Sequence, residues 1–471
     1  MQIQSIKVLL AGYLGVILLG TLILSMPPMY HTNVSFLEAL FTSVSAMTCT
    51  GLAIKNTGLD FTTYGQIVIC VLIQLGGFGH MSMAGILFLL IGKRLSAAEK
   101  DLINVVDNLN NNSVQGIDKA ILKAIVFVLI VELIGASLLC PYFVWQLGDL
   151  KEGMWVGIFH AISAFNNSGF TILKDGLLPY QADIVVNLVI PMLIIIGGFG
   201  YLSSLEFSHF CYAKVRYSRL FTHKAPRMRL SLNTRIVFVM SVLLLICGMI
   251  NVLIFEWSNP RTLENVPFWD KIMNAFFVST NYRTSGFNIF DISGFEERTM
   301  FFSIFFMMIG GGPGGTAAGI KVTTFAVLVA LSIAIVKNRK NTTIFGRTIP
   351  QDIVSKAFCV FIIALVYLSV ATFFLAIFEP NIPFLPLLFE VVSAFSTVGL
   401  SMGDGDSLSL CADFNTIGLL IIMILMISGK IGILAFTLIF MGGTRTKHVQ
   451  YVQEKVLRIN HGKKLRSARA W

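Results

Sequence analysis

Charge is scarce in this sequence: only 13% of its 471 residues are Asp, Glu, Lys or Arg, while 55% are hydrophobic. Soluble chains carry about 25% charged residues. No water-facing surface can be built from so apolar a chain, so lipid must cover part of it. A cysteine pattern is missing too. The seven cysteines (Cys49, Cys70, Cys140, Cys211, Cys247, Cys359 and Cys411) are scattered without a Cys-x-x-Cys. That argues against a zinc site and a disulfide framework, and they read as small buried apolar residues. No clustered His-Asp-Ser set or metal-spaced set occurs, and the seven histidines are dispersed, which leaves a membrane enzyme without machinery. The first apolar run is followed by "MPPMY" rather than by a small-residue cleavage site, so it reads as a retained span.

What the chain has instead is apolar length. Runs long enough to span a bilayer, roughly 20 residues each, recur at about 7–26, 65–92, 121–143, 184–211, 234–255, 300–336, 357–378 and 415–441, which makes eight. Several exceed that length and carry glycines, so bends or breaks are expected. With the N-terminus inside, the segments 93–119, 212–235, 337–356 and 444–471 lie on the cytoplasmic side. Together with Lys7 they hold 25 of the 35 Lys and Arg, against six in the opposite loops. This positive-inside bias sets both termini in the cytoplasm, and it accounts for the net charge of +10 without nucleic acid. The outer loops carry 15 acidic residues. They are either ordinary solvated charge or a field that concentrates cations.

Between these runs lie shorter apolar stretches, too short to cross: "VSFLEALFTSVSAM", "MWVGIFHAISAF", "FWDKIMNAFFVST" and "FLPLLFEVVSAF". Each runs into a polar strip that ends in glycine. The strips are Thr48-Cys49-Thr50-Gly51, Asn166-Asn167-Ser168-Gly169, Arg283-Thr284-Ser285-Gly286 and Ser396-Thr397-Val398-Gly399, and their glycines are 118, 117 and 113 residues apart. The following runs carry glycine clusters in register, at Gly77, Gly198, Gly311 and Gly429. Self-similarity at a fixed period marks a repeat architecture. The expected fold is an all-α polytopic membrane protein. Four span–pore-helix–span repeats surround a pseudo-fourfold single-ion pore, with eight transmembrane spans in all. The repeats are placed at 1–92, 120–211, 234–337 and 355–443, with a basic tail at 444–471. Irregular backbone at membrane depth is tolerated where it lines a water-filled path or packs in protein, which places the strips around a central hole.

The strips contain no carboxylate. A dehydrating cation there would be held by backbone carbonyls with some hydroxyl help. Glycine suits a strip whose carbonyls must turn one way, because it reaches dihedrals closed to other residues. The four-unit plan, "YRTSGFN", "STVGLS" and "GGPGGTAAGIKVTTF" together resemble the Trk/Ktr/HKT superfamily of potassium transporters, over essentially the whole chain. With no extra helical pair before the first unit, the chain is most similar to the KtrB-type membrane subunit. The resemblance implies potassium uptake through a single-file pore, a homodimeric membrane subunit and a cytosolic RCK-type nucleotide-binding ring that gates it. It further implies no cofactor in this chain, with potassium as substrate and sodium as a candidate activator. Glycine at all four strip ends matches the potassium-selective pattern, whereas sodium-selective plant relatives carry serine where this chain has Gly51.

The stretch "GGPGGTAAGIKVTT" nearly reads as a phosphate loop. Gly314 and Gly319 have the spacing, but Ile320 separates Gly319 from Lys321 and no strand precedes. The remaining readings are a plain kink and a gate. Pro313 cannot donate a hydrogen bond, and the glycines weaken a helix. The candidate gate comprises Gly311, Gly312, Pro313, Gly314, Gly315, Thr316, Ala317, Ala318, Gly319 and Lys321. The resemblance likewise implies an intramembrane gating loop in the third unit, and Lys430 stands where relatives usually have arginine. Lys430 would reach loop carbonyls. A charge inside a span is expensive and suggests a function or a partner. Arg283 is therefore expected either to hold its strip, through carbonyls or a pair with Glu38 or Glu390, or to control ion passage. Glu132 and Glu206 read as packing or interface residues. Either would indicate proton or sodium coupling, the alternative function, if it faced the ion path. His80 and His160 read as structural, and the basic tail is expected to meet anionic lipid or the regulatory ring.

Overall fold

The computed structural model describes residues 2–78, 117–219, 230–403 and 408–441. His80, most of the segment 93–119 and the tail 444–471 lie outside the described residues. The architecture is helical. The helices are α1 (Gln2–Leu24), α2 (Phe36–Thr48), α3 (Thr63–Gly77), α4 (Ile117–Leu147), α5 (Leu150–Phe165), α6 (Ile184–Gly198), α7 (Tyr201–Arg219) and α8 (Leu232–Glu256). They continue with α9 (Phe268–Asn281), α10 (Glu297–Met308), α11 (Val322–Val336), α12 (Gln351–Phe378), α13 (Phe384–Ser396), α14 (Thr416–Ile431) and α15 (Ile433–Met441). One two-stranded hairpin, β1 (Thr343–Ile344) with β2 (Arg347–Thr348), joins α11 to α12.

Local sequence starts these helices. Ser35 and Glu38 close a capping box on α2, with the Ser35 N–H donating to the Glu38 carboxylate at 2.7 Å. Asp149 accepts from the first free N–H groups of α5, and Asn415 does the same for α14. Proline precedes α9 and α13, where a missing N–H costs nothing. Gly153 and Gly157 let α5 press on the backbone of α4: a Cβ at either would lie 2.5 or 2.6 Å from the Cα of Val144 or Cys140.

The four short helices α2, α5, α9 and α13 are buried along their second halves. The long helices around them turn apolar side chains outward: Leu133 is 70% and Trp145 77% exposed. That arrangement fits a lipid solvent and not water. Each of α2, α5, α9 and α13 packs on the helix before it. The helices α3, α6, α10 and α14 also pack on α5, α9, α13 and α2 in turn, so the contacts run in a closed circuit.

Three helices among the described residues are long and apolar enough to cross a membrane: Leu122–Leu147, Leu232–Glu256 and Gln351–Phe378. A fourth arises if Ile184–Gly198 and Tyr201–Lys214, bent by 110°, count as one. The remaining apolar helices are shorter. The reason is visible in the third unit, where the expected run 300–336 is split into α10 and α11 by the non-helical segment 309–321. A break also falls at Gly432, φ 94°, between α14 and α15.

Candidate functional site

The four polar strips meet at the centre of the helix circuit. Their backbone follows one pattern. The second residue of each strip is left-handed (Cys49 φ 52°, Asn167 φ 54°, Thr284 φ 74°, Thr397 φ 51°), and so is each glycine two residues on (φ 89°, 69°, 75° and 83°). Left-handed backbone costs an L-residue roughly 1–2 kcal/mol. Four such residues at matching positions are strain concentrated at one place, as functional sites concentrate it.

The spacing between strips is tighter than any side chain allows. A Cβ on Gly51 would lie 2.4 Å from the Ser168 carbonyl oxygen, and one on Gly169 2.3 Å from that of Ser285. On Gly286 it would lie 2.7 Å from the Val398 oxygen, and on Gly399 1.9 Å from the Thr50 oxygen. Each strip glycine thus faces the carbonyl before the next glycine, and the fourth returns to the first. The ring closes in chain order. The non-glycine strip residues are all buried.

Serines on the short helices tie the strips down. Ser45, Ser163 and Ser393 donate to the carbonyls of Leu52, Phe170 and Leu400 at 2.7, 2.7 and 2.6 Å. In the third unit Asn281 does this work from its side-chain oxygen, which accepts the Phe287 N–H at 3.1 Å. Sequence reasoning missed these tethers. Their signal was present, a serine six residues before three of the four glycines. Four buried strip hydroxyls (Thr284, Ser285, Ser396 and Thr397) have no protein hydrogen-bond partner, an arrangement native interiors seldom leave.

On the glycine side the ring opens into a vestibule of about 70 Å³. All four strip glycines line it together with Asp175 and Asp291, and no Lys or Arg does among the described residues. On the other side lies the segment 309–321. It folds back on itself through Gly310 N–H to Ile320 O at 2.9 Å and Val322 N–H to Gly311 O at 3.1 Å. It docks on the second unit through Gly312 N–H to Gly198 O at 2.8 Å and Thr316 N–H to Gly197 O at 3.3 Å. The Thr316 hydroxyl reaches Asn167 Oδ1 of the second strip at 3.1 Å, and Gly319 abuts the Ser396 side chain. Lys430 Nζ donates to the Thr316 carbonyl at 2.8 Å, and Lys321 Nζ to that of Ala317 at 2.6 Å. The candidate gate residues and the candidate strip residues are therefore brought into direct contact.

In the first three units the glycine facing a carbonyl across the packing is one residue earlier than the spacing suggested, and in the fourth it is Gly429 as expected. Gly76 and Gly197, with Gly429, each leave room for a carbonyl at the end of a short helix: Met47, Phe165 and Phe395, at 1.9, 1.9 and 1.7 Å from the absent Cβ. In the third unit the same place at Gly310 is taken by the Ala318 carbonyl, at 1.7 Å. The folded segment is wedged where the other units have direct helix contact.

Arg283 departs from expectation. Its guanidinium reaches Ser241 on α8, with Nη2 at 3.2 Å from the hydroxyl. Glu38 instead pairs with Lys55 at 3.3 Å, and Glu390 accepts from Ser401 and Cys411. Arg283 is the first residue of its strip, and both glutamates are engaged by these other partners. Glu132 is buried and accepts from Asn166 Nδ2 at 2.9 Å, and Glu206 caps α8 by accepting from Ser231. Neither lines the vestibule. His160 is held between the Val156 carbonyl and the Thr171 hydroxyl, at 2.8 and 2.9 Å.

Residues 15–445 match the TrkH family model, described as a cation transport protein. The chain is 37% identical to the Ktr system potassium uptake protein B of Bacillus subtilis, over 96% of each chain. It is 32% identical to the protein of the same name from Vibrio alginolyticus, over 90% of this chain and 89% of that one. Identity is also 32% to the potassium/sodium uptake protein NtpJ of Enterococcus hirae, over 97% of each. The fold is similar to that of the crystal structure of the potassium transporter TrkH from Vibrio parahaemolyticus. The TM-score is 0.71 at 18% identity, over 93% of this chain and 84% of that one.

Proposed function

The chain belongs to the TrkH family of cation transport proteins, which are transporters and not enzymes, and we propose that it takes up potassium across the cell membrane through the ring of four strips. The observation that carries this reading is the closed circle of strip glycines, each faced by the carbonyl of the next strip. Such a ring can exchange protein oxygen for the hydration shell of a cation without titratable charge. Asp175 and Asp291 line the vestibule, where no Lys or Arg lines it among the described residues, and they raise the local cation concentration. The names of the Bacillus and Vibrio relatives support potassium.

The same reading holds that the protein has eight spans in four repeats around a pseudo-fourfold axis, with both termini cytoplasmic. The breaks at 309–321 and Gly432 explain why its spans do not all pass as single long helices. The segment 309–321 is the gate. It closes the inner end of the ring, with Lys430 as its latch. The membrane subunit is a homodimer, and as a Ktr-type subunit it is driven by a cytosolic RCK-type nucleotide-binding ring. A pull by that ring on α11 would withdraw the gate. Potassium is the substrate, sodium acts as activator, and the basic tail meets lipid or the ring.

Sodium selectivity is the second reading, favoured by the printed name of the Enterococcus relative. Gly51, and the absence of Glu132 and Glu206 from the vestibule lining, support potassium. Rubidium uptake into proteoliposomes, with sodium as competitor, separates the two. Rubidium entry that excess sodium does not suppress supports the proposal, and sodium entry with rubidium excluded overturns it.

A further inference from the structure

Thr316 makes three kinds of contact, and one of them has no part in merely seating the gate. Its N–H and carbonyl fasten the segment to Gly197 and Lys430. Its hydroxyl donates to Asn167 Oδ1 at 3.1 Å, and the same amide's Nδ2 donates to the Arg283 carbonyl at 3.1 Å. Asn167 is the left-handed residue of the second strip, and the Arg283 carbonyl begins the third. One amide therefore joins two strips to the gate.

The surroundings fix that amide. Asn167 is 1% exposed and Thr316 6%, so water does not compete for their bond. A Cβ on Gly197 would lie 2.9 Å from Asn167 Oδ1, and one on Gly198 3.2 Å from Nδ2, so the second span encloses both ends of the amide. Turning the amide over would set its oxygen against the Arg283 carbonyl, acceptor against acceptor. Its oxygen is thus committed to the Thr316 hydroxyl. Among the described residues, the matching residues of the third and fourth strips make no such link, and Cys49 of the first strip lies beside Lys430 without bridging two strips. Cys49 Sγ points to the Ile73 carbonyl at 3.5 Å, and the Thr284 and Thr397 hydroxyls have no protein partner.

We infer that Asn167 couples the position of the gate to the shape of the ring, so that removing the Thr316 hydroxyl changes which ion the strips prefer. The inference rests on the strips being the filter and on 309–321 being the gate. With the hydroxyl gone, the amide oxygen is left buried without a donor, and its hold on the Arg283 carbonyl loosens. The third strip then fits ions less selectively.

The test uses the full-length protein in proteoliposomes, with rubidium uptake measured against sodium competition and without any cytosolic partner. Thr316→Val is isosteric, and Thr316→Ala only removes atoms. Each is expected to lower the rubidium-over-sodium preference about fivefold, the change one net hydrogen bond is worth. Added to Asn167→Ala, either should change the preference no further, because both act through one bond. Thr316→Ser should restore the parental preference. An unchanged preference in both Thr316→Val and Thr316→Ala, or additive losses with Asn167→Ala, would overturn the coupling. Lys430→Met is measured for flux in parallel. If it raises flux while the Thr316 variants leave preference unchanged, the gate stands and the coupling alone fails. If it and deletion of 312–319 both leave flux unchanged, the gate reading itself fails.

Discussion

Replacing Gly399 by alanine separates two costs that glycine avoids at the ring. Its φ of +83° is left-handed, and an added Cβ would lie 1.9 Å from the Thr50 carbonyl oxygen, 3.0 Å from its carbon and 3.2 Å from the Gly51 Cα. The first cost is about 1–2 kcal/mol of backbone strain. The second is steric, and its obstacle is backbone, which cannot swing aside as a side chain does. Normal contact lies near 3.5 Å, so the Thr50 strip must retreat by about 1.5 Å. A coordinating carbonyl displaced that far no longer replaces a water oxygen. Losing as little as about 1.4 kcal/mol of ion stabilisation lowers occupancy tenfold. Gly148 supplies the control. It has φ +72° and nothing within 4 Å of its missing Cβ, and it lies in the turn between α4 and α5. Gly148→Ala therefore carries the strain without the collision. Rubidium uptake by equal amounts of monodisperse protein should fall at least about tenfold for Gly399→Ala and remain near parental for Gly148→Ala. Equal uptake by the two variants would refute the reasoning that close approach of carbonyls defines the ring.

Other substitutions probe the remaining parts. Lys430→Met removes a charged donor from the Thr316 carbonyl, and bonds to charged groups contribute about 1.5–3 kcal/mol. Partner-free rubidium efflux should rise by about 10- to 100-fold, and no rise would remove Lys430 from the latch. Ser163→Ala cuts the tether to the Phe170 carbonyl and should weaken discrimination against sodium a few-fold, about 1 kcal/mol. Sodium competition that matches the parent's would make the tether irrelevant. Glu206→Gln strips the charged cap from the start of α8. Thermal unfolding in detergent should occur a few degrees lower, from a loss of about 1 kcal/mol, and an unshifted transition would contradict the capping role. For orientation, impermeant thiol reagents applied to whole cells should label Lys174→Cys but not Lys447→Cys, and the reverse would invert the topology.

Much of this arrangement was legible in the sequence because membrane chemistry leaves few options. A short apolar stretch that runs into a polar strip with glycine at its end can be buried only against other such strips, and the four strips do meet. The break in the third unit was equally readable, since Pro313 and its glycines cannot sustain a helix. Facing relations were not. Spacing pointed to Gly77 and Gly198, yet the helix-end carbonyls meet Gly76 and Gly197, while Gly77 lies against the Asn166 side chain, because a helix face is set by packing and a cluster of glycines does not say which member turns toward which neighbour. Charge suggests for Arg283 a hold on its strip, through carbonyls or a pair with Glu38 or Glu390, or control of ion passage, but its guanidinium meets the hydroxyl and carbonyl of Ser241. Neutral partners leave no charge pattern to find. Thr316 had no signal beyond its place between glycines, and its three bonds depend on chain segments 114 to 149 residues away.

The position of the ion is the most direct test of the ring. Crystals grown in rubidium should show anomalous density at the centre of the ring, enclosed by the carbonyls of Thr50, Ser168, Ser285 and Val398. An empty ring, with rubidium held instead at a carboxylate such as Glu132, would contradict it.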